Sequence, residues 1–220
     1  YSPQNSLHNE IYPAIFNNNP KNIQTSSFPD IYYIILDGYA NDKILSEFYN
    51  FPNNPLTEFL KKKGFFIAEN SRTNYTATTE SLGSSLNFQY IDSLKASKEE
   101  NLIYRNRVSM YLKSKGYKIV HIRSGYSVTR YNYFADSTIA LDNFSEFERT
   151  LMRFTIFRLD DILGYVHFKL LQNQMEKLFS IDKIEGPKFV FIHIVSPHPP
   201  FVCSENGKYR TARNLTYSWW

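Results

Sequence analysis

The 220-residue sequence has little of several features that mark particular classes of protein. It contains a single cysteine, Cys203, so no disulfide can form within the chain and the redox compartment cannot be inferred. No apolar run approaches the roughly eighteen residues that a transmembrane helix needs, and no signal peptide is visible. The net charge is only +4, without a stripe of lysine and arginine. This charge argues against nucleic-acid binding.

The features that are present describe an ordinary globular chain. Hydrophobic residues make up 42% of the sequence and charged residues 21%, and the length suits one large domain with a proper core. Residues 1–27 are rich in Asn, Ser and Pro and lack any periodicity, which predicts an extended leader or linker. The sequence starts at Tyr1 rather than at methionine. We therefore expect it to be part of a longer protein, with any membrane segment lying outside it.

The segment F-P-D-I-Y-Y-I-I-L-D-G-Y, residues 28–39, is the strongest local signal. Its continuous apolar run between turn residues predicts a strand buried on both faces, as in the parallel sheet of an α/β protein. Ligands of such sheets bind beyond the carboxyl ends of the strands, which is where Asp37 stands. A carboxylate at that position either caps the following turn or binds a metal.

Further strands and helices alternate along the chain. Tyr117–Arg123 and Lys188–Val195 are also buried-strand candidates, and Phe65–Ala68 is a shorter one. Helices are predicted at 42–49, from Pro55 to just before Gly64, at 81–90, from Ser97 to near Gly116, and from Asp160 to Phe179. The capping box Ser145/Glu148 predicts the start of one more helix. In the helix at 81–90, Leu82, Leu86 and Tyr90 lie on one face. This alternation predicts an α/β fold with a mostly parallel central sheet flanked by helices.

Polar side chains follow several of these elements. Thr78 lies at a predicted helix start, where it could be an ordinary N-cap or a nucleophile beside an anion-binding helix end. His198 is enclosed by prolines in S-P-H-P-P-F, which fixes its backbone and would suit an imidazole that donates to an anionic substrate or a leaving oxygen. His193, within the preceding strand, is either a core or supporting histidine or a residue with a direct role.

Four segments in this order resemble membrane-anchored proteins of the sulfatase-like branch of the alkaline phosphatase superfamily, which includes lipoteichoic acid synthases and phosphoethanolamine transferases. The segments are P-D-I-Y-Y-I-I-L-D-G-Y-A, T-N-Y-T-A-T-T-E-S-L-G-S-S-L-N, L-K-S-K-G-Y-K-I-V and K-F-V-F-I-H-I-V-S-P-H-P-P-F. The resemblance covers about residues 28–205 and implies an alkaline-phosphatase-like fold. It makes residues 28–220 the N-terminal part of such a domain, which we expect to be incomplete at its C-terminus.

The resemblance also implies roles for individual residues. Asp37 matches the acid that binds a divalent metal, zinc or manganese. Thr78 matches the residue that is both metal ligand and nucleophile, with Thr79 as the alternative register. His198 matches a histidine that contacts substrate, and His193 is assigned to substrate binding with it. The implied substrates are phosphate esters of lipid or glycan head groups, at the extracytoplasmic face of a membrane whose anchor is not in this chain.

Two departures from the family pattern limit these implications. The nucleophile region reads Thr-Thr-Glu-Ser and lacks C/S-x-P-x-R, the motif that true sulfatases convert to formylglycine, which favours phosphoryl over sulfate chemistry. The downstream Asp-His pair that completes the metal site is also absent, and Asp37 and Thr78 are fewer than the roughly four ligands of a zinc site. We therefore expect this chain to be inactive by itself. The alternative is a truncated, non-catalytic paralogue that acts as a binding or interaction module.

Overall fold

The computed structural model describes residues 28–91, 101–139 and 160–210. These contain one sheet of four parallel strands, in the spatial order β1-β4-β2-β3. The strands are β1 (Ile31–Leu36), β2 (Lys118–Ile122), β3 (Ser137–Ile139) and β4 (Lys188–Ile194). The predicted α/β class with a parallel sheet is thus confirmed, whereas the predicted leader at 1–27 lies outside the described residues and stays a prediction.

Strand β4 is the central strand, and its burial explains its sequence. All seven of its residues are buried, since β1 and β2 flank it and helices cover both faces, so K-F-V-F-I-H-I reads as a continuous apolar run. The prediction that β1 is buried on both faces is wrong. β1 lies at the edge of the described sheet, where Tyr32 and Ile34 are 43% and 45% exposed.

Six α-helices and two 3-10 turns accompany these strands in the described ranges. The helices are α1 (Asp42–Tyr49), α2 (Pro55–Lys62), α3 (Thr78–Ser85), α4 (Asn101–Tyr104), α5 (Arg107–Ser114) and α6 (Asp160–Leu178), and the 3-10 turns are Ser127–Thr129 and Ile181–Lys183. The predicted α1 begins after Asn41, whose side chain accepts from the Ile44 N–H. The predicted α2 has Pro55 in its first turn, as expected.

Three predictions of local structure need correction. Phe65–Ala68 is not a strand: no described strand pairs with it, and Phe66 is 91% exposed. The helix predicted at 81–90 is α3, which begins at Thr78 and ends at Ser85. Leu82 and Leu86 are both buried, which agrees with their predicted place on one face. Tyr90, which was predicted on the same face, lies beyond the helix and is 80% exposed. The helix predicted from Ser97 to Gly116 is divided into α4 and α5, because the Asn106 side chain accepts from the Ser109 N–H and starts a new helix. Its predicted start at Ser97 and the capping box Ser145/Glu148 lie outside the described residues.

Hydrophobic side chains on the two faces of the sheet form two core clusters. On one face, Val120, Ile122, Val190 and Ile192 pack with Phe168, Leu170 and Leu171 of α6. On the other face, Ile119, Phe189 and Phe191 pack with Leu82 and Leu86 of α3 and with residues of α4. The sheet is therefore held between two helical layers, and its carboxyl-terminal edge is where loops rather than helices meet.

A buried ion pair fixes the amino-terminal end of the sheet. Lys188, which is 5% exposed, places its Nζ 2.6 Å from Asp30 Oδ2, and its backbone N–H donates to Asp30 Oδ1. We expect Asp30→Ala to lower the free energy of unfolding by about 2 kcal/mol, because it leaves a buried ammonium group unpaired. The cost stays below that of a fully buried pair because about a third of Asp30 remains exposed. Chemical denaturation of the variant measures it.

Two further variants test this reason for the loss. Asp30→Ala combined with Lys188→Met should recover most of the stability, since no charge is then left buried. Glu47→Ala is the matched control, because it also removes the acidic partner of a lysine, but from the exposed ion pair Lys43–Glu47. It should change the free energy of unfolding by less than about 0.5 kcal/mol. Equal losses in Asp30→Ala and Glu47→Ala would contradict the assignment.

Candidate functional site

The backbone after β1 turns sharply at Asp37 and presents its side chain at the carboxyl end of the sheet. The Asp37 N–H donates to the Ile194 carbonyl at 2.9 Å, which continues the pairing of β1 with β4 by one residue. Gly38 then adopts φ 79°, a left-handed conformation that suits glycine, and the chain leaves the sheet. The Asp37 carboxylate therefore lies beyond the end of the β1–β4 pair, where ligands of parallel sheets bind.

His193 lies directly beside this carboxylate. The register pairs Ile35 of β1 with His193 of β4, and His193 Nε2 is 3.5 Å from Asp37 Oδ2. This distance is long for a hydrogen bond, and Nε2 is buried with no closer partner in the described part of the chain. The His193 ring lowers the pKa of Asp37, burial opposes this shift, and the charge of His198 and the Gly38 N–H add to the lowering. Asp37 is consequently ionised at neutral pH while its side chain stays 21% exposed.

The other ring nitrogen of His193 is engaged by the loop after β2. Thr129 Oγ1 is 2.8 Å from His193 Nδ1, and Ser124 Oγ is 2.6 Å from Thr129 Oγ1. All three side chains are buried, and the Tyr126 ring contacts the imidazole edge-on with a centroid distance of 5.9 Å. A continuous row of polar groups thus runs from Asp37 into the protein.

Helix α6 closes the opposite face of this region. The Gln174 side-chain amide donates to the carbonyls of both Arg123 and His193, which ties the ends of β2 and β4 together. His167, also on α6, contacts the Val195 carbonyl through Nε2 at 3.0 Å. Burial lowers the pKa of His167, the Val195 carbonyl opposes this shift, and the charge of His198 adds to the lowering. These contacts hold the strand ends in a fixed arrangement.

His198 lies in the loop after β4, as its sequence predicted. Its side chain is exposed, and Nδ1 is 2.8 Å from the Pro199 carbonyl. Its charge acts on the pKa of both Asp37 and His167, which places it on the same edge of the sheet as these two groups. An exposed imidazole at this edge can meet a ligand from solvent.

Thr78 is the first residue of α3, and the reading of its hydroxyl as an N-cap is wrong. The N-cap is Ala77, which has no side chain to donate or accept, and the Thr78 hydroxyl has no hydrogen-bond partner among the described residues. Leu82 lies one turn after both Thr78 and Thr79, and each of the two threonines is half-buried. Thr78 is therefore available at the positive end of α3.

A cleft lies next to this helix start. It has a volume of about 660 Å³, within the range of ligand sites, and is lined by the loop 71–75, the serines of α3 and the residues 88–90. Ser81, one turn after Thr78, is the first residue of α3 that lines it. Glu80, two residues after Thr78, has a buried Oε2 with no hydrogen-bond partner in the described part of the chain.

The residues needed for a complete metal site are not found together. Within 28–91, 101–139 and 160–210, no three His, Cys, Asp or Glu side chains are grouped so that they could hold a metal ion. Asp37 alone offers an ionised carboxylate, a ligand that suits hard divalent cations. Over the same ranges, no helix has the length and apolar character needed to cross a membrane.

The structure joins some of the predicted site residues and leaves others apart. It brings Asp37, His193 and His198 to one edge of the sheet, while Thr78 starts a helix that packs on one face of the same sheet. The roles assigned to these residues stay predictions. Sequence reasoning missed Ser124, Thr129 and His167, although Ser124 follows a predicted strand just as Asp37 does, and that position was the available signal.

Comparison with known proteins supplies one match. A family model described as Sulfatase matches residues 29–217, most of the chain. Members of this family are hydrolases and transferases of sulfate or phosphate esters and generally use a divalent metal. Searches of curated proteins and of solved structures gave no match.

Proposed function

Because this chain belongs to the sulfatase family, we propose that it carries the nucleophile of a metal-dependent phosphotransferase or phosphodiesterase. The observation that carries this proposal is the position of Thr78. Its hydroxyl is the first of helix α3, is not used as a cap, and lies one turn before Ser81, which lines a cleft of ligand size. Phosphate rather than sulfate esters are favoured by the Thr-Thr-Glu-Ser sequence at this position, which lacks the motif that true sulfatases modify.

The helix start explains how Thr78 could attack a phosphate ester. Free backbone N–H groups in the first turn of α3 favour an anion, so a phosphoryl group can be held beside the hydroxyl. The Thr78 Oγ–phosphorus bond forms as the ester bond breaks, the hydroxyl proton is released, and the departing alcohol oxygen takes up a proton. Water or an acceptor hydroxyl then displaces the phosphoryl group and restores Thr78.

Asp37 is the residue that we assign to the metal. Its ionised carboxylate at the end of β1 has the chemistry of a ligand for zinc or manganese, and Thr78 is assigned as a ligand with it. When bound, such an ion lowers the pKa of a hydroxyl ligand and stabilises negative charge on the phosphoryl oxygens. We place the remaining ligands outside the residues that the structure describes, because the described ones do not complete a site.

The two histidines receive different roles in this proposal. His198 is exposed at the same edge of the sheet and is assigned to the phosphoryl oxygens or the leaving oxygen, to which an imidazole can donate. His193 was predicted to bind substrate as well. Its ring is fully buried between Asp37 and Thr129, so we propose that it serves the substrate through Asp37.

The substrate class and the location are extensions of the same proposal. The four segments that resemble membrane-anchored transferases support a phosphate ester of a lipid or glycan head group, at the extracytoplasmic face of a membrane. The aromatic and hydroxyl side chains of the cleft, among them Phe88 and Tyr90, suit a polar head group with some apolar surface. The membrane anchor would lie outside residues 1–220.

A comparison of ester substrates tests the function directly. We expect the intact protein that contains this chain to turn over a nitrophenyl phosphodiester in the presence of zinc or manganese. The corresponding sulfate ester should be turned over at least about 100-fold more slowly, because the nucleophile is a threonine hydroxyl. Chelation of the metal and the Asp37→Ala variant should each reduce phosphodiester turnover to background.

The results of this comparison distinguish a phosphate-ester enzyme from a non-catalytic interaction module. Glu58→Ala, which removes an exposed carboxylate at the start of α2, is the matched control and should leave turnover unchanged. Faster turnover of the sulfate ester would overturn the phosphate assignment. Turnover of neither ester by the intact protein, with correct folding shown by circular dichroism, would favour the non-catalytic interaction module.

A further inference from the structure

The buried polar side chains of His193, Thr129 and Ser124 form a row on the interior side of Asp37. None of the three is the proposed nucleophile or a predicted metal ligand. We propose that Thr129 is a positioning residue, whose hydroxyl fixes the His193 ring in the orientation and tautomer that turn the Nε2–H towards Asp37. The geometric part of this inference stands by itself. Its consequence for metal binding rests on the proposed function of Asp37.

The direction of the hydrogen bonds follows from the charge of Asp37. An ionised carboxylate 3.5 Å from Nε2 favours a proton on that nitrogen, because a lone pair facing it would be repelled, but this distance is too long for a hydrogen bond that would fix the tautomer by itself. In the neutral ring, Nδ1 is then the acceptor. Thr129 must therefore donate its hydroxyl proton to Nδ1 across 2.8 Å.

Ser124 completes the row. Once Thr129 donates to the ring, Thr129 Oγ1 can accept from the Ser124 hydroxyl, which lies 2.6 Å away and closer than the Tyr126 carbonyl at 3.2 Å, the other acceptor of the Ser124 proton. Ser124 Oγ in turn accepts from the Tyr126 N–H at 3.2 Å. His193, Thr129 and Ser124 are each at most 3% exposed, so water cannot replace a hydrogen-bond partner that one of them loses.

The 3-10 turn Ser127–Thr129 holds the Thr129 hydroxyl in place. The Tyr104 hydroxyl donates to the Ser127 carbonyl at 2.6 Å, and Val128 is buried in the core cluster on that face. The Thr129 N–H donates to the Tyr126 carbonyl. The loop after β2 is thus anchored to α4 and to the core, which gives the hydroxyl a fixed position relative to β4.

Two substitutions at one position distinguish positioning from packing. Thr129→Val removes the hydroxyl and keeps the shape of the side chain, whereas Thr129→Ser keeps the hydroxyl. Nitrogen NMR of histidine-labelled protein reports which nitrogen of His193 carries the proton. We expect Nε2–H in the wild type and in Thr129→Ser, and a loss of this single tautomer in Thr129→Val.

Manganese affinity gives the second readout. Groups that orient a metal ligand typically change the affinity by about 10- to 100-fold when removed. We therefore expect Thr129→Val to weaken manganese binding of the intact protein by about tenfold, and Thr129→Ser to stay within about twofold of wild type. Thr57→Val is the matched control, because Thr57 is also buried and its hydroxyl donates to a different carboxylate, Asp42. It should change neither readout.

The outcomes for this inference and for the proposed function can be told apart. An Nδ1–H tautomer in the wild type, or an unchanged tautomer in Thr129→Val, would overturn the positioning role whatever the enzyme does. A tautomer change in Thr129→Val with normal manganese affinity would overturn the step from His193 to Asp37. Absence of manganese binding by every variant, with the tautomer change present, would contradict the metal role of Asp37 and leave the role of Thr129 supported.

Discussion

Replacement of Thr78 by alanine is expected to lower phosphodiester turnover of the intact protein by about 10⁴-fold or more, because loss of a covalent nucleophile removes the main chemical route. Binding should change far less, since the backbone N–H groups at the start of α3 remain. The helix itself should be unaffected, as its N-cap is Ala77 and the Thr78 hydroxyl makes no cap bond. Steady-state kinetics with the nitrophenyl phosphodiester, next to a titration with inorganic phosphate, measures both effects.

Thr79→Ala is the matched control for this substitution. The two threonines are neighbours in the first turn of α3, and each change removes the same two heavy atoms, Oγ1 and Cγ2. Since the nucleophile is assigned to Thr78 and Thr79 is half-buried beside it, replacement of Thr79 should reduce turnover by less than about tenfold. The reverse result, with activity lost in Thr79→Ala and kept in Thr78→Ala, would transfer the nucleophile to Thr79. Activity in both variants would end the proposal of a threonine nucleophile.

The sequence was sufficient for those parts of the fold that depend on local patterns. Strands β1, β2 and β4 were predicted because each is a short apolar run that ends in turn or polar residues. Helices α1 and α2 were predicted from cap residues and from Pro55. Strand β3 was missed because Ser137–Ile139 has only three residues, too few to show a pattern. The exposure of Ile34 depends on which strand lies at the edge, and no local pattern contains that information.

The candidate site, like the fold, could be predicted from the sequence only where it depends on local patterns. Asp37 and His198 could be found because each stands directly after a strand next to turn residues. The contact of Asp37 with His193 requires the parallel register of β1 and β4, which pairs residues about 160 positions apart. Thr129 lies in a short turn without any motif, so its contact with His193 depends entirely on the path of the loop after β2. Long-range contacts of this kind are determined by topology rather than by local sequence.

His121 is a second residue whose environment only the structure reveals, and it leads to the largest expected effect on stability. Its side chain is 1% exposed and stacks on Phe191 with a centroid distance of 5.5 Å. Burial lowers the pKa of His121 from 6.5 to about 4, and the charge of Arg123 adds to this. Backbone groups of Arg130 and Thr129 oppose the shift, although neither makes a hydrogen bond of ordinary geometry with the ring.

The lowered pKa of His121 determines whether the free energy of unfolding rises or falls with pH. Below about pH 6.5 the imidazole of the unfolded chain takes up a proton, while the buried ring stays neutral until about pH 4. The unfolded state therefore binds more protons in this window, and the free energy of unfolding falls as the pH falls. At about 1.4 kcal/mol per pKa unit, His121 accounts for a loss of about 3 kcal/mol between pH 7 and pH 4. Denaturation with guanidinium chloride at several pH values measures this slope.

His121→Leu tests the assignment, since leucine fills a similar volume and cannot take up a proton. The variant should be at least as stable as wild type at neutral pH, because it removes two buried ring nitrogens that have no hydrogen-bond partner among the described residues. It should also lose about 3 kcal/mol less on acidification to pH 4. Ile119→Leu changes another fully buried residue of β2 without touching a titratable group and is the matched control, which should keep the wild-type slope. An unchanged slope in His121→Leu would mean that the acid sensitivity of this fold comes from other groups, among which the partly buried His167 has a pKa shifted in the same direction.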